Sequence, residues 1–180
     1  TQKHFKQEVI TELSAVLSFS AINNNDKVGI IFYSDIIEKF IPPQKGTSHI
    51  LRIIRELINF TPKCDKTNTS EALRYLTNVI KKKCMAFVIS DFMDDNFKEA
   101  IKIANKKHDI VALRIYDKRE KEMPNIGLVN FRDAETGNTM WVDTSIQKIR
   151  KHYAINYIKQ EAELNDIFLK SGVDIVSINT

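Results

Sequence analysis

Apolar residues recur along this chain at two spacings, three to four residues and two, and the switch between them sets out the elements. From Gln2 to about Asn24 the spacing of Phe5, Val9, Ile10, Leu13, Val16 and Leu17 predicts a helix. Small Ala15, Ser18 and Ala21 permit close approach to a sheet, and Asn23-Asn24-Asn25-Asp26 stops the helix. Residues 27–33 are apolar on both faces, as suits a buried strand of a largely parallel sheet. Ser34-Asp35 turns the chain, and residues 36–41 return as a short strand that Pro42-Pro43 ends. Thr47 or Ser48 caps a helix to about Asn59, with Ile50, Leu51, Ile54, Leu57 and Ile58 inward. After a loop, Asn68 or Thr69 begins a helix ending near Lys83, with Ala72, Leu73, Leu76, Val79 and Ile80 inward.

Met85-Ala-Phe-Val-Ile89 is a continuous apolar strand that runs into Ser90-Asp91. A helix over residues 97–107 and a buried strand over 109–115 follow. Residues 128–132 and 139–142 read as two strands around a turn with Thr136-Gly137-Asn138 at its tip. Thr144 or Ser145 caps a long helix to about Lys170, Ser171-Gly172 terminates it, and residues 173–177 form a last strand. Strands alternating with helices of this length predict an α/β domain, a mainly parallel sheet with helices on both faces. No repeat or linker divides the 180 residues, so residues 1–180 read as one domain.

Composition narrows the function classes. No apolar run approaches the roughly 20 residues that span a bilayer, and the first dozen residues lack the features of a signal peptide. Cys64 and Cys84 have no metal-type spacing and read as reduced thiols, so a cytoplasmic location is expected. The net charge of +4 is spread out, and the one run, Lys81-Lys82-Lys83, closes a predicted helix where cations suit the dipole. Without interleaved aromatics it is a poor nucleic-acid patch.

Ligands of such sheets bind beyond the carboxyl ends of the strands. Asp91 follows an apolar strand directly, where a carboxylate either holds a hard divalent cation or orders the next loop. Thr67 stands before a helix, where its hydroxyl is either a second oxygen ligand or a cap. Asp94 and Asp95 could join Asp91 in an acidic cluster for magnesium-dependent phosphoryl transfer, or cap the following helix. His4, His49, His108 and His152 lie on separate elements, and His4 with Glu8 reads as a surface pair. No nucleophile-and-base pair, Walker loop or G-x-S-x-G elbow is present, so the chain does not read as an enzyme.

Several stretches together carry a resemblance. Asn24-Asn-Asp-Lys-Val-Gly-Ile30, Phe32-Tyr-Ser-Asp35, Phe40-Ile-Pro-Pro43, Leu51-Arg-Ile-Ile-Arg-Glu-Leu57, Ser70-Glu-Ala-Leu-Arg-Tyr-Leu76 and Phe87-Val-Ile-Ser-Asp-Phe92 belong to it. So do His108-Asp109, Arg114-Ile-Tyr-Asp117, Arg132-Asp133, Glu135-Thr-Gly137 and Trp141-Val-Asp-Thr144. Over nearly the whole chain these resemble the bacterial von Willebrand factor A-like proteins of the domain-of-unknown-function family 58.

The resemblance implies a Rossmann-like, three-layer sheet domain and a metal-ion-dependent adhesion site built from three loops. The second loop's threonine maps onto Thr67 and the third loop's aspartate onto Asp91. The usual G-T-D around the threonine reads Lys66-Thr67-Asn68 here. The first loop, D-x-S-x-S after the central first strand, has no counterpart, so the resemblance implies that strand is absent from this chain. A fragment of a longer protein and a misplaced gene start both account for that. Poor metal affinity of the chain by itself is then expected, as is an exposed sheet edge able to pair with a second copy. The implied function is a protein-binding module using Mg2+ or Mn2+ in the complete protein. Its partner would offer an acidic residue, and the resemblance points to a MoxR-type AAA+ ATPase or a Bat-type membrane protein.

Overall fold

The computed structural model of the protein describes residues 2–64, 66–94, 96–117, 121–132 and 139–179, with the side chains of 2–5 and 132 left out of that description. In chain order the elements are α1 (Gln2–Asn23), β1 (Val28–Tyr33), β2 (Ile37–Gln44), α2 (Thr47–Asn59), α3 (Thr69–Val79) and β3 (Met85–Ser90). They continue with α4 (Lys98–Lys107), β4 (Asp109–Tyr116), β5 (Leu128–Arg132), β6 (Thr139–Asp143), α5 (Gln147–Ser171) and β7 (Asp174–Asn179). The expected turn at Thr136-Gly137-Asn138 lies outside the described residues.

The α/β reading holds in its coarse form. Strands β3, β4 and β7 form a parallel sheet in that order, with Ser90 opposite Arg114 and Arg114 opposite Ser177. Val88, Ile110 and Ala112 point to one face and pack with Leu73 of α3, Phe97, Ala100, Ile101 and Ala104 around α4, and Leu164 and Phe168 of α5. Residues of opposite parity, Ile89 and Ile115, point to the other face, where Ile10 of α1 lines a cleft with them. Among the described side chains of α1, Ser14 and Ser18 are buried, while Ala15 and Ala21, expected with Ser18 to permit close approach, are half-buried. Val16, part of the apolar spacing that predicts the helix, is exposed.

A second core joins Phe32, Ile41, Ile53 and Leu57 from β1, β2 and α2. The β1–β2 hairpin is antiparallel and, among the described residues, shares no hydrogen bonds with the parallel sheet. Both β1 and β3 are therefore paired along one edge alone.

Several boundaries move. Pro42 and Pro43 do not end β2 but lie inside it, which an edge strand tolerates because one side needs no N–H donors. Gly29 sits opposite them at a register shift, where a Cβ would lie 2.8 Å from the Ile41 carbonyl oxygen. Gly46, at φ 101°, caps α2 in place of Thr47 or Ser48, a backbone conformation open to glycine. Helix α3 stops at Val79, so Lys81-Lys82-Lys83 lies in the link to β3 rather than on a helix end. Ile146, not Thr144 or Ser145, precedes α5, while Gly172 at φ 64° ends it as expected.

Two polar clusters fasten the layers. Asn105 donates to the carbonyls of Ser171 and Gly172 and accepts from Ile110 N–H, joining α4, β4 and the end of α5. Buried Arg114 donates to Glu161 Oε1 at 3.2 Å and Tyr157 Oη at 3.3 Å, and its guanidinium lies 5.6 Å from the Tyr116 ring centroid.

Candidate functional site

The carboxyl ends of β1 and β3 converge although the strands do not pair. Tyr33 from β1, Ile89 and Ser90 from β3, Ile115 from β4, and Lys6 and Ile10 from α1 line one cleft of about 190 Å3. Thr67 and Asp91 line it too, so the two residues singled out from the sequence reach the same rim.

Local contacts explain how they arrive there. The Asn68 N–H donates to the Ser34 carbonyl at 2.8 Å, tying the start of α3 to the end of β1. Asn68 Oδ1 accepts from Glu71 N–H at 3.0 Å, so Asn68 caps α3 and Thr67 stands one residue ahead of the cap. Past Asp91, Phe92 has a φ of 55°, a costly conformation for a non-glycine residue, on the order of 1–3 kcal/mol. Ser90 Oγ accepts from Phe92 N–H at 3.1 Å, and the Phe92 ring packs against Phe97 and Phe168. A packed aromatic thus holds a strained backbone beside Asp91.

Asp94 has a role that sequence reasoning assigned to the wrong helix. Its carboxylate does not cap α4, which has no side-chain cap, but accepts from Thr69 N–H at 2.7 Å and Thr69 Oγ1 at 2.8 Å at the start of α3. Asp95 lies outside the described residues.

The cleft holds charge of both signs. Lys6 Nζ lies 3.6 Å from Asp91 Oδ2, an ammonium group beside the candidate ligand. Tyr33 Oη is buried and forms no hydrogen bond among the described residues. Burial pushes its phenol above the ordinary value of 10.0, the Thr69 and Ser90 side chains pull it partly back, and the Asp94 and Asp91 carboxylates add to the rise. The phenol therefore keeps its proton at neutral pH. Lys6 and Tyr33 carried no sequence signal, since only the tertiary fold brings α1 and β1 to this rim.

Asp91 and Thr67 fit magnesium in kind, as hard oxygen donors, but fall short in number of an octahedron. Among the described residues no three His, Cys, Asp or Glu side chains gather where an ion could sit. His49 donates from Nε2 to the Val28 carbonyl at 2.9 Å, and the side chain of His4 is outside the described residues.

The opposite end of the sheet carries a pair the sequence did not reveal. Cys84 Sγ lies 3.3 Å from His108 Nδ1. Both cysteines are free thiols. Burial raises the Cys84 thiol, and burial followed by the Lys107 charge lowers the His108 imidazole. Both groups are thus held neutral, the reverse of an activated thiolate–imidazolium pair.

Comparison with known proteins agrees with this architecture. The chain is similar to BatB from Bacteroides thetaiotaomicron, with a TM-score of 0.58 and 18% identity, over 97% of this chain and 80% of that one. It is also similar to an aerotolerance-related membrane protein from Bacteroides fragilis, with a TM-score of 0.62 and 17% identity, over 96% and 80%. These likenesses establish the fold. An uncharacterised protein of Mycobacterium bovis is 22% identical over 135 residues, 73% of this chain and 43% of that protein. The chain thus spans less than half of that relative's length. An uncharacterised protein of Mycobacterium avium is 25% identical over 142 residues, 77% of this chain and 83% of that one. No described helix is long and apolar enough to cross a membrane. A family model matches residues 1–163, and the chain belongs to the family described as protein of unknown function DUF58.

Proposed function

We propose that the chain is a von Willebrand A-like, metal-ion-dependent protein-binding module and not an enzyme. The observation that carries this reading is the meeting of Thr67 and Asp91, from two separate loops, in one cleft at the carboxyl rim of the strands. Asn68 takes the capping task, which leaves the Thr67 hydroxyl to the cleft. The positive φ of Phe92 next to Asp91 is further support, since such strain gathers at functional positions.

In this reading Asp91 supplies a carboxylate and Thr67 a hydroxyl to Mg2+ or Mn2+. Further oxygen donors would have to complete the octahedron around that ion. The bound cation would supply an open position for a Glu or Asp of the partner. A MoxR-type AAA+ ATPase is the proposed partner, with a Bat-type membrane protein second, and the chain would act as an adaptor in the cytoplasm. Likeness to BatB and to an aerotolerance-related membrane protein is compatible with such a setting. The alternative of phosphoryl transfer through Asp91, Asp94 and Asp95 draws less support, because both Asp94 oxygens are engaged by Thr69.

The test is magnesium-dependent capture of the ATPase by the full-length protein, with Asp91→Ala and Thr67→Ala as variants. Binding lost on chelation and in both variants is expected. Unchanged binding by Asp91→Ala would refute the reading, as would phosphate-ester turnover that depends on Asp94.

A further inference from the structure

The β5–β6 hairpin presents apolar side chains on both of its faces. Asn130 pairs with Trp141 and Phe131 with Met140, and cross-strand partners share a face while neighbours alternate. Leu128 and Trp141, 64% and 66% exposed, therefore project to one side, and Phe131 and Met140, 37% and 65% exposed, to the other. Among the described residues no third strand pairs with this ribbon. A two-stranded ribbon is marginal unless something packs on it.

The ribbon is fixed to α5 at its root. Buried Thr144 donates from its backbone N–H and its hydroxyl to the Gly127 carbonyl, and its Oγ1 accepts from Ile126 N–H. Asp143 Oδ1 accepts from Ser145 N–H and Oγ, and Arg150 donates to the carbonyls of Thr144 and Ser145. Directly beyond, Lys148, Lys151 and His152 line a shallow depression with Ile155. Residues 144–160 include Lys148, Arg150, Lys151 and Lys159 and no Asp or Glu. Of these, Lys148, Arg150 and Lys151 lie at or next to the first turn of α5, the positive end of the helix dipole, which disfavours them. An anionic surface in contact would offset that cost.

We propose that the β5–β6 ribbon and the first turns of α5 form a peripheral docking surface for an anionic lipid bilayer. The choice of a bilayer over a protein partner rests on the ribbon's two apolar faces. A protein would cover one face, whereas the headgroup and acyl boundary surrounds both. Trp141 suits that boundary, as amphipathic rings do, and the lysines reach anionic headgroups. The chain lies on the membrane without spanning it.

The protein has a single tryptophan, so the ribbon carries its own reporter. Vesicles rich in phosphatidylserine are expected to shift Trp141 emission to the blue, and neutral phosphatidylcholine vesicles to do so far less. Lys148→Gln and Lys151→Gln should each weaken partitioning roughly fivefold, and raised salt should weaken it further. Met140→Ser should lower affinity at unchanged circular dichroism. Unshifted emission with anionic vesicles at low ionic strength overturns the proposal. So does equal binding to neutral vesicles, or a shift produced by an acidic helical peptide and not by vesicles.

Discussion

The Asp94 carboxylate grips Thr69 twice, accepting from its backbone N–H at 2.7 Å and from its hydroxyl at 2.8 Å, and so locks the loop after β3 onto the start of α3. Thr69 is fully buried. Asp94→Ala would leave two buried donors unpaired and is expected to cost about 1–3 kcal/mol. Asp94→Asn, which keeps one acceptor, should cost less. Urea unfolding of the two variants checks the order, and equal midpoints would contradict it.

Gly29→Ala tests the edge hairpin. The added methyl group would meet the Ile41 carbonyl oxygen at 2.8 Å and Pro43 N at 2.9 Å, both backbone atoms that cannot turn aside. Separation of β1 from β2 is expected, at about 1–3 kcal/mol, the usual penalty of overpacking. A thermal shift within error of the parent would remove this account of the glycine.

His108 gives the protein an acid-sensitive core. Its imidazole is held below the ordinary 6.5, first by burial and then by Lys107. The unfolded chain takes up the proton before the folded one, so the contribution is full above pH 6.5 and fades as pH falls through the folded value. Melting temperatures measured downward from neutral pH should decline below 6.5. His108→Gln, though less stable at neutral pH, should decline less steeply over the same window. Parallel curves would show that His108 is not the group responsible.

Lys6 bears on the proposed ion site. Its ammonium group neutralises Asp91 from 3.6 Å and competes with any cation there. Lys6→Ala is expected to tighten Mg2+ or Mn2+ binding by up to roughly fivefold, the scale of a half-exposed ion pair. Calorimetric titration of the two proteins decides this. Weaker binding by the variant would mean that Lys6 supports the site rather than blocks it.

Legibility in the sequence followed the range of the interactions. The parallel strand β4, buried on both faces, announces itself as an apolar run, whereas the equally apolar β3 leaves Met85 and Phe87 exposed. Asp91 stood out because a carboxylate ends an apolar run there, and the family resemblance, not the run itself, gave it a ligand role over that of ordering the next loop. Caps and ends were less legible. The Asn68 cap and the Gly172 stop follow from local chemistry, whereas the end of α3 at Val79 does not, since the apolar spacing continues to Ile80.

By itself, the sequence determined the order and type of the elements, the α/β class, and the two residues that merit attention as oxygen donors. Periodicity and turn chemistry act within a few residues, and they are written directly in the chain. The tertiary structure alone decided that Thr67 and Asp91 share a cleft, that Lys6 and Tyr33 join them, that Asp94 serves α3, and that Cys84 faces His108. Each of these contacts links residues more than 20 positions apart, and such pairs become neighbours only when the sheet and helix layers pack.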